Sequence, residues 1–435
     1  MQIIGFLNKY VFGVGVPVML ILLGIFYCFK LRFFHLLHPL KIIKTLFEGK
    51  KEGGVSPLKA LTLALAGTLG VGNMVGVASA IVLGGFGAIF WMWVSAFIAM
   101  ILKYAEIVLA IKYRKFDKDG KPYGGAMYYI RACIKDGRAG AFIALMFALF
   151  CVFNSVSMGS MIQINAVSEA FVGVFDAHPA VIGVFFSVIT LFALLRGTSG
   201  ILTLTEKLVP IMTGGFVVLS ILVIVLFPSR TLHAFELIFS DAFDIKSGIG
   251  GALGFLTSDA LRYGTMRGIL SNEAGCGTAP AAHAVTNCNV PAKQGVFGII
   301  EVFVDTVVLC TLTALCVLLE YDAAAVYGGH YMMMTIAAYS SALGAYAGYF
   351  LSTAVGCFAL ATVICWGHYG WTAVEYLGGG RHSRWGFCVI YAACVLIGAY
   401  APPNIAWQLS DLSISVMTVI NLGVLLGYYF FFERT

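Results

Sequence analysis

Apolar residues fill this chain in blocks of about twenty or more, separated by short polar stretches. A bilayer's hydrocarbon core is about 30 Å thick, and about 20 helical residues cross it. Runs of that length predict eleven crossings, at approximately residues 11–31, 57–83, 87–112, 140–172, 179–196, 208–228, 249–270, 295–319, 337–372, 386–400 and 411–431. The first run, Tyr10 to Leu31, lacks a basic head and an A-x-A-like exit. It therefore reads as a retained helix and not as a signal peptide.

One block contradicts its own hydropathy. "AGTLGVGNMVGVASAIVLGG", Ala66 to Gly85, carries Gly67, Gly70, Gly72 and Gly76 together with the full amide of Asn73. Glycine costs a helix about 1 kcal/mol against alanine, and a span in lipid has to satisfy its own backbone. Irregular backbone at membrane depth is tolerated only where it lines a cavity or is buried in protein. A break at Gly70, Val71 and Gly72 meets that condition if it leaves N–H groups for a carboxylate and C=O groups for a cation. Close helix packing is the alternative, since Gly72 and Gly76 also have small-x-x-x-small spacing. Asn73 weighs against it, because a mid-span amide needs partners and a broken helix supplies them. The seventh predicted span, "SGIGGALGFLTSDALRYGTMRGILSNEAGCGTAP", is a second glycine-laden block and contains Asp259, Arg262 and Arg267. With the first helix set aside, ten crossings remain in two sets of five. Five is odd, so the sets enter from opposite sides and the repeat is inverted, each beginning with an interrupted helix. The expected organisation is an extra helix and basic amphipathic segment over 1–56, then five-helix repeats over 57–228 and 229–435.

Composition supports a membrane protein and removes other classes. The chain has 435 residues, 60% hydrophobic and 11% charged, where a soluble domain carries about a quarter charged residues. No polar block is long enough to hide a soluble domain. The net charge of +6 mostly follows topology: Lys and Arg gather in the odd-numbered loops, at Lys41, Lys44, Lys50, Lys51, Arg114, Lys115, Lys118, Lys121, Lys207, Lys293, Arg381 and Arg384, with Arg230 and Lys246 in even loops as exceptions. By the positive-inside rule those loops are cytoplasmic, the N-terminus is outside and the C-terminus inside. Nucleic acid is not an expected partner. The stretch "KLRFFHLLHPLKIIKTLFEGKK" is expected on the inner headgroup surface of the bilayer. The eleven cysteines show no C-x-x-C pairing and imply neither metal nor disulfide framework. No H-E-x-x-H, G-x-S-x-G, P-loop or G-x-G-x-x-G is present, so an enzyme is disfavoured. Against a passive channel, two inverted broken helices point to alternating access.

The segments "GTLGVGNMVGVASAIVLGGFGAIFWMWVSAFIAMILKYAEIVLAIKYR", "GGAMYYI", "TEKLVPIM", "RYGTMRGILSNEAGCGTAPAAHA", "VFVDTVVLCTLTAL", "FALATVICWGHYGWTAVEYL" and "WQLSDLSISVMTVINL" resemble the alanine or glycine:cation symporter family, the sodium–alanine symporters. The resemblance runs in order from about Ser56 to Asn421. It implies an all-α integral membrane protein of about eleven helices, ten of them in a leucine-transporter-type 5+5 inverted repeat. It also implies Na+-driven uptake of small neutral amino acids, with H+ in some members, across a prokaryotic inner membrane and without an organic cofactor.

The resemblance places a Na+ site between the first broken helix and the ninth span, with carbonyls of Ala66, Leu69 and Ala359 and the hydroxyl of Thr362. Sodium is a hard cation that takes oxygen ligands. The other reading of Thr362 is a hydroxyl bonded back to its own helix. The resembling family usually carries serine before this threonine, where this chain has Ala361, and usually threonine where it has Val71. The substrate is expected on Gly70, Val71, Gly72 and Asn73, its carboxylate on backbone N–H groups, with Gln163 toward the pocket and Trp366 walling off the side chain. Asp305 and Asp259 are candidates for coupling or gating. The competing reading of Asp259 is a salt bridge with Arg262 on one helix face. Glu106, two turns before Arg114, is expected to snorkel to the cytoplasmic edge. "SNEAG", Ser271 to Gly275, is expected to be a helix C-terminal turn at the cytoplasmic mouth.

Overall fold

Helix covers most of each predicted crossing within the described residues of a computed structural model, which are 2–47, 54–243 and 258–432. Seven helices there are long and apolar enough to cross a membrane, and one bent pair makes an eighth. Helix α1 (Gly13–Lys30) is followed by the bent pair α2 (Pro57–Thr68) and α3 (Val77–Gly84), then by α4 (Ala88–Tyr113). A short antiparallel hairpin pairs Lys115 with Tyr123. The chain continues through α5 (Gly137–Val156), α6 (Gln163–Phe175), α7 (Pro179–Leu195) and α8 (Gly197–Leu226). Beyond the undescribed stretch come α9 (Asp259–Asn272), α10 (Ala279–His283), α11 (Pro291–Val302) and α12 (Thr311–Leu319). Last are α13 (Tyr331–Leu343), α14 (Ala345–Tyr376), α15 (Arg381–Gly398) and α16 (Pro403–Phe432).

The boundaries differ from the hydropathy reading in places. The expected ninth span over 337–372 is two helices, because Gly344 turns the chain with φ +83° between α13 and α14. The sixth begins at Gly197, not 208, since its first three turns are polar yet helical. Residues 249–257 of the expected seventh span, and the loop residues Lys50 and Lys51, lie outside the described residues.

Three spans carry a π-helical turn near their middles: Gly72–Gly76 leading into α3, Ser157–Ile162 between α5 and α6, and Phe303–Cys310 between α11 and α12. Such turns recur at functional sites, because the widened turn redirects side chains and frees backbone groups. Here they frame the centre: Gln163 follows the second and Asp305 sits in the third.

The broken halves pair with each other. Helix α9 packs along α3 and the Gly72–Gly76 turn, and α10 packs along α2. Helix α2 lies against α14 through a stripe of small residues at helical spacing. Cys365 Sγ donates to the Leu63 carbonyl at 3.1 Å and Thr362 Oγ1 to that of Ala66 at 3.0 Å. A Cβ on Gly67 would sit 2.8 Å from the Tyr369 hydroxyl. A side chain there would hold the two helices apart. The fold is all-α apart from the short hairpin, as expected, with one bent break between α2 and α3 and a second interruption between α9 and α10.

Candidate functional site

The first break starts from a well-made helix. Ser56 caps α2 by accepting from Lys59 N–H at 3.3 Å, and Pro57 stands at its first position, where the missing N–H costs nothing. The helix ends at Thr68, and the chain bends by 53° before α3. Leu69 N–H still reaches Leu65 carbonyl at 2.7 Å, but Gly70 N–H turns back to Thr68 carbonyl at 2.8 Å. The Ala66 carbonyl thus loses its helical donor and accepts from Thr362 instead. Val71 N–H donates to Gln163 Oε1 at 3.0 Å, and Gln163 Nε2 donates to Met158 carbonyl at 3.2 Å. Gly72 and Asn73 open the next helical segment, so their N–H groups have no preceding turn to bond.

The break expected at Gly70, Val71 and Gly72 is therefore where the helix comes apart, and its glycines differ in kind. A Cβ on Gly70 would lie 2.7 Å from both Gln163 Oε1 and Thr362 Oγ1. One on Gly72 would meet nothing closer than Ser271 Cα at 3.7 Å. Gly70 is required by close approach; Gly72 faces the space beside the second broken helix.

Two of the four residues expected to hold a cation are in direct contact. Thr362 Oγ1 is 3.0 Å from Ala66 carbonyl oxygen and 3.0 Å from that of Phe358. One hydroxyl proton serves one carbonyl at a time, so both readings of Thr362, ligand and back-bonded hydroxyl, describe part of its geometry. Leu69 and Ala359 are fully buried on the same two helices.

Around the second break, polar side chains of four further elements converge. Glu273, in the left-handed conformation at φ 54°, ends α9; Gly275 and Gly277 follow at φ +84° and +76°. "SNEAG" is a helix C-terminal turn, as expected, but it is buried in the protein and not at a mouth. Glu273 Oε1 accepts from Trp366 Nε1 at 3.0 Å and Oε2 from Thr278 Oγ1 at 2.6 Å. This bond fixes the Trp366 ring, which also lies against Gly159, where a Cβ would come within 2.6 Å of Trp366 Cγ. Asn73 Nδ2 donates to Asp305 Oδ1 at 2.8 Å and to its carbonyl at 3.0 Å, while Asp305 Oδ2 accepts from Ser271 and Thr306 hydroxyls at 2.7 and 2.8 Å. The amide thus finds its partners on the eighth span, and one carboxylate ties both broken helices together.

Other expectations change. Glu106 does not snorkel: it is fully buried and accepts from Gly277 N–H at 3.1 Å and from Asn421 Nδ2 at 2.5 Å. Its reach is set by α10 and α16 packing over it, which hydropathy counting does not register. Asp259 stands in the first turn of α9 with its side chain 69% exposed, 4.0 Å from Arg262 Nη1. It is remote from the buried network, so the salt-bridge reading describes it. The sequence alone assigns nothing to Lys103 or Gly159, and to Glu273 only a place in the "SNEAG" turn. A signal was present for the first: Lys103 and Glu106 are opposite charges one turn apart in the middle of a 26-residue apolar helix.

A cavity of about 760 Å³ opens at the hairpin end, lined among others by Val55, Arg114, Thr286, His368, Thr372 and Arg384. It reaches α14 within one turn of Trp366.

The chain has relatives across its whole length. The profile of the sodium:alanine symporter family matches residues 1–429. The sodium/alanine symporter AgcS of Methanococcus maripaludis is 34% identical over 98% of this chain and 94% of its own length. The putative sodium/proton-dependent alanine carrier protein YrbD of Bacillus subtilis is 33% identical over 93% of this chain and 86% of its own. Among solved structures, MhsT in complex with L-phenylalanine superposes with a TM-score of 0.60 at 14% identity, over 87% of this chain and 90% of that one, which establishes the fold. Family and fold are those of multi-pass membrane transporters and not of enzymes. The chain belongs to the sodium:alanine symporter family.

Proposed function

We propose that this protein carries a small neutral amino acid into the cell with Na+ by alternating access, across a prokaryotic inner membrane with the hairpin end cytoplasmic. The observation that carries the reading is the first break, where Ala66 carbonyl and Thr362 hydroxyl meet at 3.0 Å beside Gly70. Na+ sits there, with Leu69 and Ala359 carbonyls completing its oxygens. The substrate carboxylate is held at the opposite end of the break by Gly72 and Asn73 N–H groups. Val71 N–H is already engaged by Gln163, so the glutamine acts as the cap that keeps the break open and bounds the pocket. Trp366, held by Glu273, limits the substrate side chain. Polar groups that are pre-bonded and a bulky ring leave room for alanine- or glycine-sized ligands. The cavity at the hairpin end is the release vestibule.

Proteoliposomes with labelled small neutral amino acids and an imposed gradient test this. Uptake driven by inward Na+ supports it. Uptake driven by H+ alone makes the chain a proton-coupled member of the same fold; indifference to both gradients overturns symport.

A further inference from the structure

The two breaks are finished by different chemistry. At the first, neutral side chains take the freed backbone groups: Gln163 the Val71 N–H and Thr362 the Ala66 carbonyl. At the second, charged side chains join the neutral Asn421 amide, which donates to the Gly275 carbonyl at 2.9 Å. Lys103 Nζ donates to the carbonyl of Asn272, the last residue of α9, at 2.8 Å. Carbonyls in the last turn of a helix carry the negative end of its dipole, and a cation there is stabilising. Lys103 also lies 3.0 Å from Glu301 Oε1 on α11, both side chains fully buried. Glu301 Oε2 in turn meets His283 Nε2 at 3.1 Å, and Gln294 Nε2 is 2.8 Å from His283 Nδ1. One turn along α4, Glu106 takes Gly277 N–H on the other side of the turn. A single helix therefore presents a cation to the carbonyl side of the second break and an anion to its N–H side.

We propose that Lys103 is a built-in cation of the second break. It occupies the carbonyl end of α9, where a mobile ion would otherwise bind, and confines the exchangeable cation to the first break. It is a positioning residue: its ammonium holds the end of α9, and through it the turn that carries Glu273 and the Trp366 wall. An ammonium on a four-carbon stem suits this place, because a compact point charge fits at a carbonyl end and the chain tethers it there permanently. Glu301 supplies the counter-charge without which a buried ammonium would be costly. The inference rests on the Na+ symport reading.

The test uses the full-length protein with Lys103→Arg, Lys103→Met and Lys103→Met/Glu301→Gln. Two readouts are taken: uptake in proteoliposomes and the Na+-induced rise in melting temperature of the purified protein. Lys103→Met is expected to lose uptake by about tenfold or more while the Na+ concentration for the half-maximal melting shift stays within about threefold of the parent. The double variant removes both members of the pair, a change that buried pairs tolerate in folding. It is expected to be stable yet to remain inactive, because no charge holds α9. Lys103→Arg keeps the charge and should retain uptake within about tenfold. A double variant that transports like the parent would show that the pair only neutralises itself and would overturn the proposal. So would a Lys103→Met protein whose half-maximal Na+ concentration for the melting shift rises about tenfold or more. A parent protein with no Na+-induced shift at all defeats the symport reading instead. Should Lys103→Met not fold, the double variant and Lys103→Arg still decide.

Discussion

Thr362→Val removes a single oxygen from the place where α2 ends against α14. The hydroxyl lies 3.0 Å from Ala66 carbonyl oxygen and 3.0 Å from that of Phe358. Its side chain is one of the two groups that crowd Gly70, with Cγ2 at 3.2 Å from a Cβ built there. Valine keeps that methyl and the rotamer of a β-branched residue, so the helix spacing is preserved. Two consequences follow. The buried Ala66 carbonyl loses its donor, which costs about 1–3 kcal/mol and lowers the melting temperature in the absence of Na+. The cation loses one of its four proposed oxygens where little water can replace it. At about 1.4 kcal/mol or more, this raises the Na+ concentration for half-maximal uptake about tenfold or more. Substrate half-saturation at saturating Na+ changes much less, because the carboxylate is held at the other end of the break. Thr362→Ser is the control: it keeps the oxygen and deletes the methyl, so its Na+ response stays within about threefold of the parent. The assay is initial uptake in proteoliposomes across a Na+ series at saturating amino acid. If well-inserted Thr362→Val protein half-saturates within about twofold of the parent's Na+ concentration, the Na+ site is not here.

The two glycines of the first break should separate in the same assay. Gly70→Ala forces Gln163 or Thr362 to move, at about 1–3 kcal/mol, and should abolish uptake without preventing insertion; Gly72→Ala has 3.7 Å of clearance and should retain most of it, whereas Gly72→Leu should not. Full activity of Gly70→Ala would refute the close-approach argument. Trp366→Phe leaves Glu273 Oε1 without its donor at 3.0 Å and shrinks the wall. Competition by larger neutral amino acids such as methionine should then rise relative to alanine, and an unchanged competition profile would remove Trp366 from the pocket. Asp259→Asn breaks an ion pair 4.0 Å long with one side chain 69% exposed, an arrangement worth under about 1 kcal/mol. Uptake and its pH response should be unchanged, and a flattened pH profile would return Asp259 to the coupling machinery.

Much of this molecule follows from local pattern. Runs of apolar residues long enough for a bilayer predict the spans, because hydrocarbon penalises any backbone that does not bond within its own segment. The same penalty makes glycines and an amide in the middle of such a run conspicuous, and the first break falls at Gly70 to Gly72 as the pattern indicates. What the tertiary structure decided are the partners. Val71 N–H ends on Gln163 and Asn73 on Asp305, residues 92 and 232 positions away. Glu106, which hydropathy sends to the surface, is turned inward because Gly277 and Asn421 arrive over it from distant helices. Lys103 and Glu106 are isolated charges in an apolar run until α9 and α11 bring Lys103 a carbonyl and a carboxylate. Periodicity records how apolar a neighbourhood is on average. A buried charge is decided by the one or two groups within about 3 Å of it, and only folding brings those together.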